Sequence, residues 1–286
     1  MSRYTTTVAD AADAVAPQRK NVVRHRLFLM VLGFALLAGL SFLILPLALL
    51  LTWQSPGDFL QALQSETTRN ALSLSLSTSL LATLIVIALG TPLAFVLARY
   101  QFAGSTVVDT LIDLPMVLPP MVGGLALLML FGRNGPVGGL LAHWNIFITF
   151  TTVAVVMAQV FVALPFYVRA ARAGFEGVDR RLEAASLLLG ESRLRTFFRI
   201  TVPLTWPSML AGIVLAWARC LGEFGATVVF AGNLSGITQT MPLAIYSSMQ
   251  DNIGAALALA TILLIVSFTL VLLLKYVIAA KGKAYA

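Results

Sequence analysis

Residues 71–98 read ALSLSLSTSLLATLIVIALGTPLAFVLA, a stretch without a single charged side chain. A helix needs about 20 mostly apolar residues to cross a bilayer. Five further mostly apolar stretches meet this requirement, at 27–51, 107–131, 150–172, 207–232 and 254–280. The sequence therefore predicts an all-α, polytopic membrane protein with six transmembrane helices.

The composition agrees with this class. Of the 286 residues, 59% are hydrophobic and only 11% are charged, whereas soluble domains carry about 25% charged residues. The net charge of +7 would suit a nucleic-acid-binding protein, but the basic residues flank the apolar stretches, so we expect a lipid environment and no nucleic acid. The single cysteine, Cys220, excludes an intrachain disulfide and a cysteine-pair metal site, and we expect no metal.

The positions of Lys and Arg predict the orientation. If the N-terminus is cytoplasmic, most of the 19 basic residues lie on the cytoplasmic side, and the outer loops receive only Arg69 and Arg133. We therefore expect both termini in the cytoplasm. Residues 1–20 lack the apolar core of a signal peptide. We predict a disordered cytoplasmic tail over 1–26, an additional N-terminal helix at 27–51, and a core of five helices over 70–280.

The third span contains three prolines, Pro115, Pro119 and Pro120. Proline removes a backbone donor and its ring clashes with the preceding turn, so this helix should kink or break. Lipid does not tolerate unpaired backbone groups, so a broken helix should be buried against protein or line a cavity. A translocation pathway and a merely kinked structural helix both remain open.

The fifth predicted span carries two charged residues, Arg219 and Glu223, four positions apart and so on one helical face. Charges at that depth usually face a bundle interior or a water-filled cavity. They could form a structural ion pair or border an anion pathway, with Asn233 further toward the outer end. Gly123 and Gly124, beside the broken span, indicate close helix packing.

The largest cytoplasmic segment between spans covers 173–206. Phe175, Val178, Leu182, Ala185 and Leu189 recur at intervals of three and four, which predicts one apolar helical face. Asp179 is a candidate N-cap, and Gly190 can end the helix. A second short helix can run from Ser192 to about Ile200, before Pro203 and Pro207 end it.

Six residues of this segment fall at the spacing of a known motif. They are Glu183, Ala184, Ala185, Gly190, Ile200 and Pro203. The pattern resembles the signature loop of ABC-importer permeases, and it implies the type I importer fold, in which this loop docks onto a separate ATPase. Asp179, Arg180 and Arg193 flank the motif and join the implied coupling residues, with the acid and the arginines available for charge-assisted contacts.

The resemblance extends over about residues 70–280. Residues 221–227 (LGEFGAT) and 230–233 (FAGN) are similar to the oxyanion branch of these permeases, and 239–246 (QTMPLAIY) is most similar to molybdate permeases. Sulfate and thiosulfate permeases share the Gly-Glu-Phe-Gly core. The additional N-terminal helix is a feature of that branch or of longer molybdate homologues, so molybdate (with tungstate) and sulfate both remain open as substrates.

The resemblance also implies partners and localisation. We expect a homodimer in a bacterial or archaeal plasma membrane, two ATPase subunits that bind ATP and Mg, and an external oxyanion-binding protein that meets the outer loop at 232–252. The chain itself would bind no cofactor and catalyse no reaction, because it lacks the P-loop pattern Gly-x4-Gly-Lys-Ser/Thr.

Two other classes of membrane protein fit these residues less well. An intramembrane protease needs a base or metal ligands, but the two histidines, His25 and His143, are isolated near membrane edges. A secondary transporter or channel would need no ATPase-docking loop, and acidic residues for proton or sodium coupling are scarce beyond Asp109, Asp113 and Glu223.

Overall fold

A computed structural model describes residues 7–53 and 55–282; the remaining positions lie outside it. The chain divides into two compact units, Met1–Gln54 and Ser55–Ala286. In chain order the helices are α1 (Thr7–Thr52), α2 (Pro56–Gln64), α3 (Glu66–Arg99), α4 (Ser105–Val117), α5 (Pro120–Phe131), α6 (Pro136–Ala142), α7 (Thr152–Gly177), α8 (Arg180–Leu188), α9 (Arg193–Thr196), α10 (Val202–Leu221), α11 (Gly225–Phe230), α12 (Met241–Asp251) and α13 (Ile253–Gly282). A π-helical turn, Phe197–Thr201, joins α9 to α10.

The first unit contains α1, of which Leu27–Thr52 is apolar and long enough to span a membrane. This agrees with the predicted span at 27–51. The described part of the predicted tail differs from the prediction, because residues 7–26 continue the helix instead of being disordered. Residues 7–16 contain five alanines, the residue with the highest helix propensity, which accounts for the extension.

The second unit is built around α3, α7 and α10, which pack against one another. Small residues line their contacts, including Ala82 on α3, Ala163 on α7 and Ala216 on α10, all fully buried. A Cβ atom on Gly90 would lie 2.6 Å from the ring of Tyr167. Small residues allow membrane helices to approach closely, and dispersion contacts then hold them together.

The third predicted span is broken, as its prolines predict. α4 and α5 meet at an angle of 114°, and Pro119 and Pro120 form the start of α5. Pro115 lies inside α4. α5 buries Gly123, Gly124 and Leu127 against its neighbours, whereas α4 buries no residue completely within the chain. The predicted burial of the broken span is therefore confirmed for α5, the second of its two helices.

The fifth predicted span differs from the prediction at both ends. Arg193–Leu221 forms one candidate span of 29 residues, so Pro203 and Pro207 lie within α10 and do not end a helix. In the π turn, the Val202 N–H donates to the Phe197 carbonyl, five residues back. This widened turn accommodates the ring of Pro203, which would clash in a regular α-helix.

At the other end, α10 stops at Leu221 and the predicted continuation to 232 is wrong. A short break precedes α11, and the segment 232–252, predicted as an outer loop, contains α12. The Met241 N–H at the start of α12 donates to Ser75 Oγ of α3 at 2.7 Å. The described residues contain five apolar helices of membrane-spanning length, or six if α4 and α5 count as one. The all-α, polytopic fold class is confirmed.

Candidate functional site

α8 and α9 form a two-helix element at the Arg-rich end of the second unit. Asp179 caps α8, its carboxylate accepting the Arg181 N–H at 2.9 Å. Gly190 follows α8 with a φ of 87°, a left-handed conformation that favours glycine. Ser192 Oγ then accepts the Arg195 N–H at the start of α9. The predictions of Asp179 as an N-cap and of a helix that ends at Gly190 are confirmed. The second predicted helix, from Ser192 to about Ile200, does not end there, because α9 continues through the π turn into α10.

Polar side chains hold these two helices together as a unit. Ser186 Oγ of α8 lies 2.9 Å from Thr196 Oγ1 of α9, and both residues are buried. Glu191, between the helices, forms ion pairs with Arg195 at 2.8 Å and Arg199 at 3.5 Å. Because buried hydroxyls keep their hydrogen bonds, we expect α8 and α9 to move as one body.

Glu183 faces inward, toward the membrane helices. Its Oε1 lies 2.8 Å from Arg99 Nη2 at the end of α3, and it accepts a hydrogen bond from Thr201 Oγ1 of the π turn at 2.8 Å. Arg99 also donates to the Val178 carbonyl. The side chains of Arg99 and Glu183 are only 7% and 18% exposed. Glu183 therefore ties α8 to α3 and to the start of α10.

This position corrects part of the sequence interpretation, in which the acid and the flanking arginines contact a partner. Glu183 contacts its own chain, and Arg180 donates to the Ala98 carbonyl at 3.3 Å. The other motif residues lie differently: Ala184, Ala185 and Gly190 are exposed, and Ile200 is half-buried. Spacing along one helix does not reveal that the end of α3 comes to face Glu183.

The predicted apolar face is divided in two. Phe175 and Val178 are buried in the bundle, and the face is interrupted because two extended residues, Val178 and Asp179, separate α7 from α8. Leu182, Ala185 and Leu189 remain exposed. Leu188 shares this exposure, and Leu187, Leu194 and Phe198 are exposed along a groove that faces α3. Leu182, Leu188 and Leu189 lie outside that groove, and an exposed apolar patch of this kind marks a contact with another molecule.

An aromatic cluster joins this element to the membrane helices. The ring centroid of Phe197, in the π turn, lies 4.9 Å from that of Phe95 on α3 and 6.0 Å from that of Phe175 on α7. Phe95 and Phe175 are themselves 5.5 Å apart. The π turn therefore packs against both α3 and α7. Aromatic pairs of this kind stabilise a fold beyond the effect of burying apolar area alone, so they fix α9 to the bundle.

A second site lies where α10 ends. Arg219 Nη1 is 2.7 Å from Glu223 Oε2, and the Glu223 side chain is fully buried while that of Arg219 is 26% exposed. Glu223 lies beyond the helix, and its Oε1 accepts the Ala226 N–H at 2.7 Å. The two charges are paired, but across a helix end and not along one continuous helix. A carboxylate at the N-terminus of α11 is favoured by the local N–H dipoles.

The break at Pro119–Pro120 meets the break between α10 and α11. A Cβ on Gly225 would lie 2.9 Å from Pro120 Cβ, and one on Gly124 would lie 2.6 Å from the Ala226 carbonyl oxygen. The expected close packing at Gly124 is therefore seen. Of the candidate pathway residues, Pro119, Pro120 and Glu223 lie at or beside this contact.

Two other candidates lie elsewhere. Pro115 is half-buried within α4. Asn233 lies beyond α11, where its Nδ2 donates to Ser247 Oγ of α12 at 2.7 Å. The structure thus assembles a subset of the pathway candidates and leaves Pro115 and Asn233 apart from it.

Sequence reasoning missed an ion-pair network between α4 and α7. Arg169 pairs with Asp113, and Arg172 Nη1 lies 2.5 Å from Asp109 Oδ1 and its Nε 2.7 Å from Glu176. Two acids four residues apart and two arginines three residues apart each share a helical face. That spacing is a signal in the sequence. The pairing of Arg99 with Glu183 was also missed. The two residues lie far apart in the sequence, so their positions give no such signal.

Comparisons with known proteins agree with this geometry. The model of a family described as "Binding-protein-dependent transport system inner membrane component" matches residues 90–282. The "Probable transport system permease protein NifC" of Clostridium pasteurianum is 41% identical over 235 residues, 82% of each chain. "Molybdenum transport system permease protein ModB" of Escherichia coli (strain K12) is 44% identical over 207 residues, 69% of this chain and 90% of that protein.

A sulfate relative and solved structures complete the comparison. The "Probable sulfate transport system permease protein cysT" of Nephroselmis olivacea is 32% identical over 265 residues, 91% of this chain and 93% of that protein. A bacterial alginate ABC transporter in complex with its periplasmic protein has a TM-score of 0.71 at 17% identity and covers 90% of this chain and 95% of that chain. The MetNI methionine ABC transporter has a TM-score of 0.55 at 16% identity, covering 78% and 100%.

The fold is thus that of ABC-importer permeases. The family match covers more than half of the chain and the relatives exceed 30% identity, so the chain belongs to the family of inner-membrane components of binding-protein-dependent transport systems.

Proposed function

We propose that the chain is the membrane-spanning subunit of an ATP-driven importer of molybdate, with tungstate as a close analogue. Two copies form the channel, two ATPase subunits bind beneath them, and one external oxyanion-binding protein delivers the anion. Both termini lie in the cytoplasm. The chain binds no nucleotide itself, since its sequence has no P-loop, and ATP and Mg belong to the ATPase.

One observation carries the mechanism: a single helical rod connects the two sites. Arg193–Leu221 is 29 residues long, which corresponds to about 43 Å at 1.5 Å per residue and matches the thickness of a bilayer with its headgroups. At one end the rod continues from the α8–α9 element, and at the other it ends beside Arg219 and Glu223. A displacement of the element is therefore transmitted across the membrane.

The geometry favours a specific order of events. ATP binding closes the ATPase dimer and moves the exposed leucines of α8 and α9, including Leu188 and Leu189. Glu183 carries this motion to α3 through Arg99 and to α10 through Thr201. The far end of α10 then shifts α11 against the start of α5. Alternating access results because each nucleotide state stabilises one of two conformations.

Arg219 is proposed to attract the oxyanion at the far end, and Glu223 weakens that attraction so that the anion is released. The partial exposure of Arg219 beside a fully buried Glu223 supports this division of roles. Arg219→Ala should reduce molybdate uptake strongly while the complex still binds its ATPase, measured by co-purification. Unchanged uptake in this variant would exclude a pathway role for Arg219.

Sulfate is the second candidate substrate, because a sulfate permease aligns with 91% of this chain, including its N-terminal part. The experiment is reconstitution in proteoliposomes with the ATPase and with a molybdate-type or a sulfate-type binding protein in turn. ATP-dependent uptake of molybdate, unaffected by excess sulfate, is the expected result. Uptake without any ATPase would overturn the importer proposal. Uptake of sulfate but not of molybdate would show that sulfate is the substrate.

A further inference from the structure

A large groove lies beside the α8–α9 element, and the mechanism above assigns it no occupant. It has a volume of about 850 Å³ and is lined by α3 on one side and by α8, α9 and the π turn on the other. Its walls are mostly apolar and include Ile87 and Phe95 of α3, Leu187 of α8 and Phe198 of the π turn. A groove of this volume and lining is large enough to hold an apolar ligand.

The depth of the groove indicates which molecule. Ile87 lies 12 residues before Arg99, which corresponds to about 18 Å along α3, more than half of a hydrocarbon core of about 30 Å. α3 is a candidate membrane span, and Ala88 and Leu89 beside the groove are exposed. The groove therefore opens to the acyl chains of the leaflet next to the α8–α9 element.

The polar end of the groove carries an unpartnered positive charge. Arg193 lines the groove, and its guanidinium forms no ion pair or hydrogen bond with any residue that the structure describes. Nearby arginines differ, because Arg195 and Arg199 pair with Glu191. Glu183 also lines the groove, but Arg99 neutralises it at 2.8 Å. The net charge offered to an occupant is therefore positive.

We propose that this groove binds an anionic phospholipid of the cytoplasmic leaflet, with its acyl chain along α3 and its phosphate on Arg193. The cytoplasmic assignment rests on the orientation in the proposed function. Basic pockets between membrane helices on this side attract anionic headgroups. Free phosphate does not fit the proposal, because it would leave the apolar walls exposed to water. A lipid here touches α3, α8 and α9 together, so it stabilises the arrangement through which coupling occurs.

The test measures lipid retention and needs no transport. The permease–ATPase complex is purified in detergent with equal amounts of phosphatidylglycerol and phosphatidylcholine, and bound lipid is counted by native mass spectrometry. Wild type should retain phosphatidylglycerol preferentially. Arg193→Gln should lower that preference about fivefold, the factor equivalent to one basic residue near an anionic surface.

Two further variants make the test specific. Arg181→Gln removes an arginine from α8 that does not line the groove, and it should retain lipid as wild type does. Ala88→Trp places a large side chain in the groove and should lose both lipids. Equal retention by Arg193→Gln and wild type overturns the proposal, as does an equal loss in Arg181→Gln. A wild type that retains neither lipid also overturns it.

These outcomes are separate from those of the proposed function. A complex that retains phosphatidylglycerol as expected but fails to import molybdate contradicts only the function. A complex that imports molybdate and shows no lipid preference contradicts only the lipid site.

Discussion

Two carboxylates mark the two ends of the helical rod, and their surroundings differ. Glu183, beside the start of the rod, accepts hydrogen bonds from Arg99 of α3 and from Thr201 of the π turn. Glu223, beyond its end, pairs with Arg219 of α10 and caps α11 through the Ala226 N–H. Glu183 thus joins distant segments into one body, whereas Glu223 stabilises a local break in the helix.

The surrounding polar atoms extend this contrast. Buried side-chain atoms without a hydrogen-bond partner in the described chain occur near both carboxylates, Thr227 Oγ1 beyond the far end and Arg99 Nε at the input end. Buried polar groups without partners are costly and are frequent at functional sites. At the α8–α9 element, the buried hydroxyls of Ser186 and Thr196 satisfy each other. Paired hydroxyls thus join α8 to α9, whereas the Thr227 hydroxyl near the far end has no partner of this kind.

The largest expected effect comes from Glu223→Ala. The change removes the cap of α11 and leaves Arg219 without its carboxylate, which should destabilise the folded protein by about 3–5 kcal/mol. The measurement is the thermal unfolding midpoint of the purified permease in detergent. Glu176→Ala is the control, because its pair with Arg172 is more exposed and should contribute about 0–1 kcal/mol. Equal shifts for both variants would show that Glu223 is not a buried cap.

Disruption of the Arg99–Glu183 pair should have the next largest effect. Arg99→Ala and Glu183→Ala should each cost about 1.5–3 kcal/mol, and the double variant should cost less than their sum. Each should also raise the ATP hydrolysed per molybdate imported, because the motion of α8 no longer reaches α3.

Two controls separate coupling from simple loss of stability. Arg99→Lys keeps the charge and should restore part of the coupling ratio. Arg195→Ala breaks an exposed pair on the same element and should leave the ratio unchanged. Strict additivity of the Arg99 and Glu183 effects would contradict a direct link between them.

Gly124→Ala tests the contact between the two broken spans. The new Cβ would lie 2.6 Å from the Ala226 carbonyl oxygen, and overpacking of this kind costs about 1–3 kcal/mol. Uptake should fall with stability, because α5 and α11 are forced apart. Gly177→Ala, where a Cβ meets nothing within 4 Å, should be neutral or slightly stabilising. A tolerated Gly124→Ala would show that the contact is loose.

The smallest effect is expected at Gly190. Its φ of 87° is unfavourable for a side chain, although a Cβ there meets open space, so Gly190→Val should cost about 1–2 kcal/mol from the backbone alone. The variant should insert normally and hydrolyse ATP with reduced uptake. Gly190→Asn should behave close to wild type, because asparagine tolerates this conformation. Normal transport by Gly190→Val would mean that the turn is only a connector.

Much of this arrangement was predictable from local patterns. The spans follow from hydropathy, and the cap at Asp179 and the turn at Gly190 follow from preferences of single residues. The break at Pro119 and Pro120 also follows from the chain itself, because proline lacks a donor. The end of α10 was missed, because the residues that follow it are as apolar as the helix and hydropathy does not register a break.

The sequence by itself therefore determined the class of protein, its apolar spans and the position of the α8–α9 element, since these depend on residues that are close in the chain. The tertiary structure alone decided that Glu183 turns inward to Arg99, 84 positions away, and that Gly124 meets Ala226. It also decided that the rod from Arg193 to Leu221 is continuous through Pro203. These features arise when distant segments pack, and packing of that kind leaves no periodic signal in a single sequence.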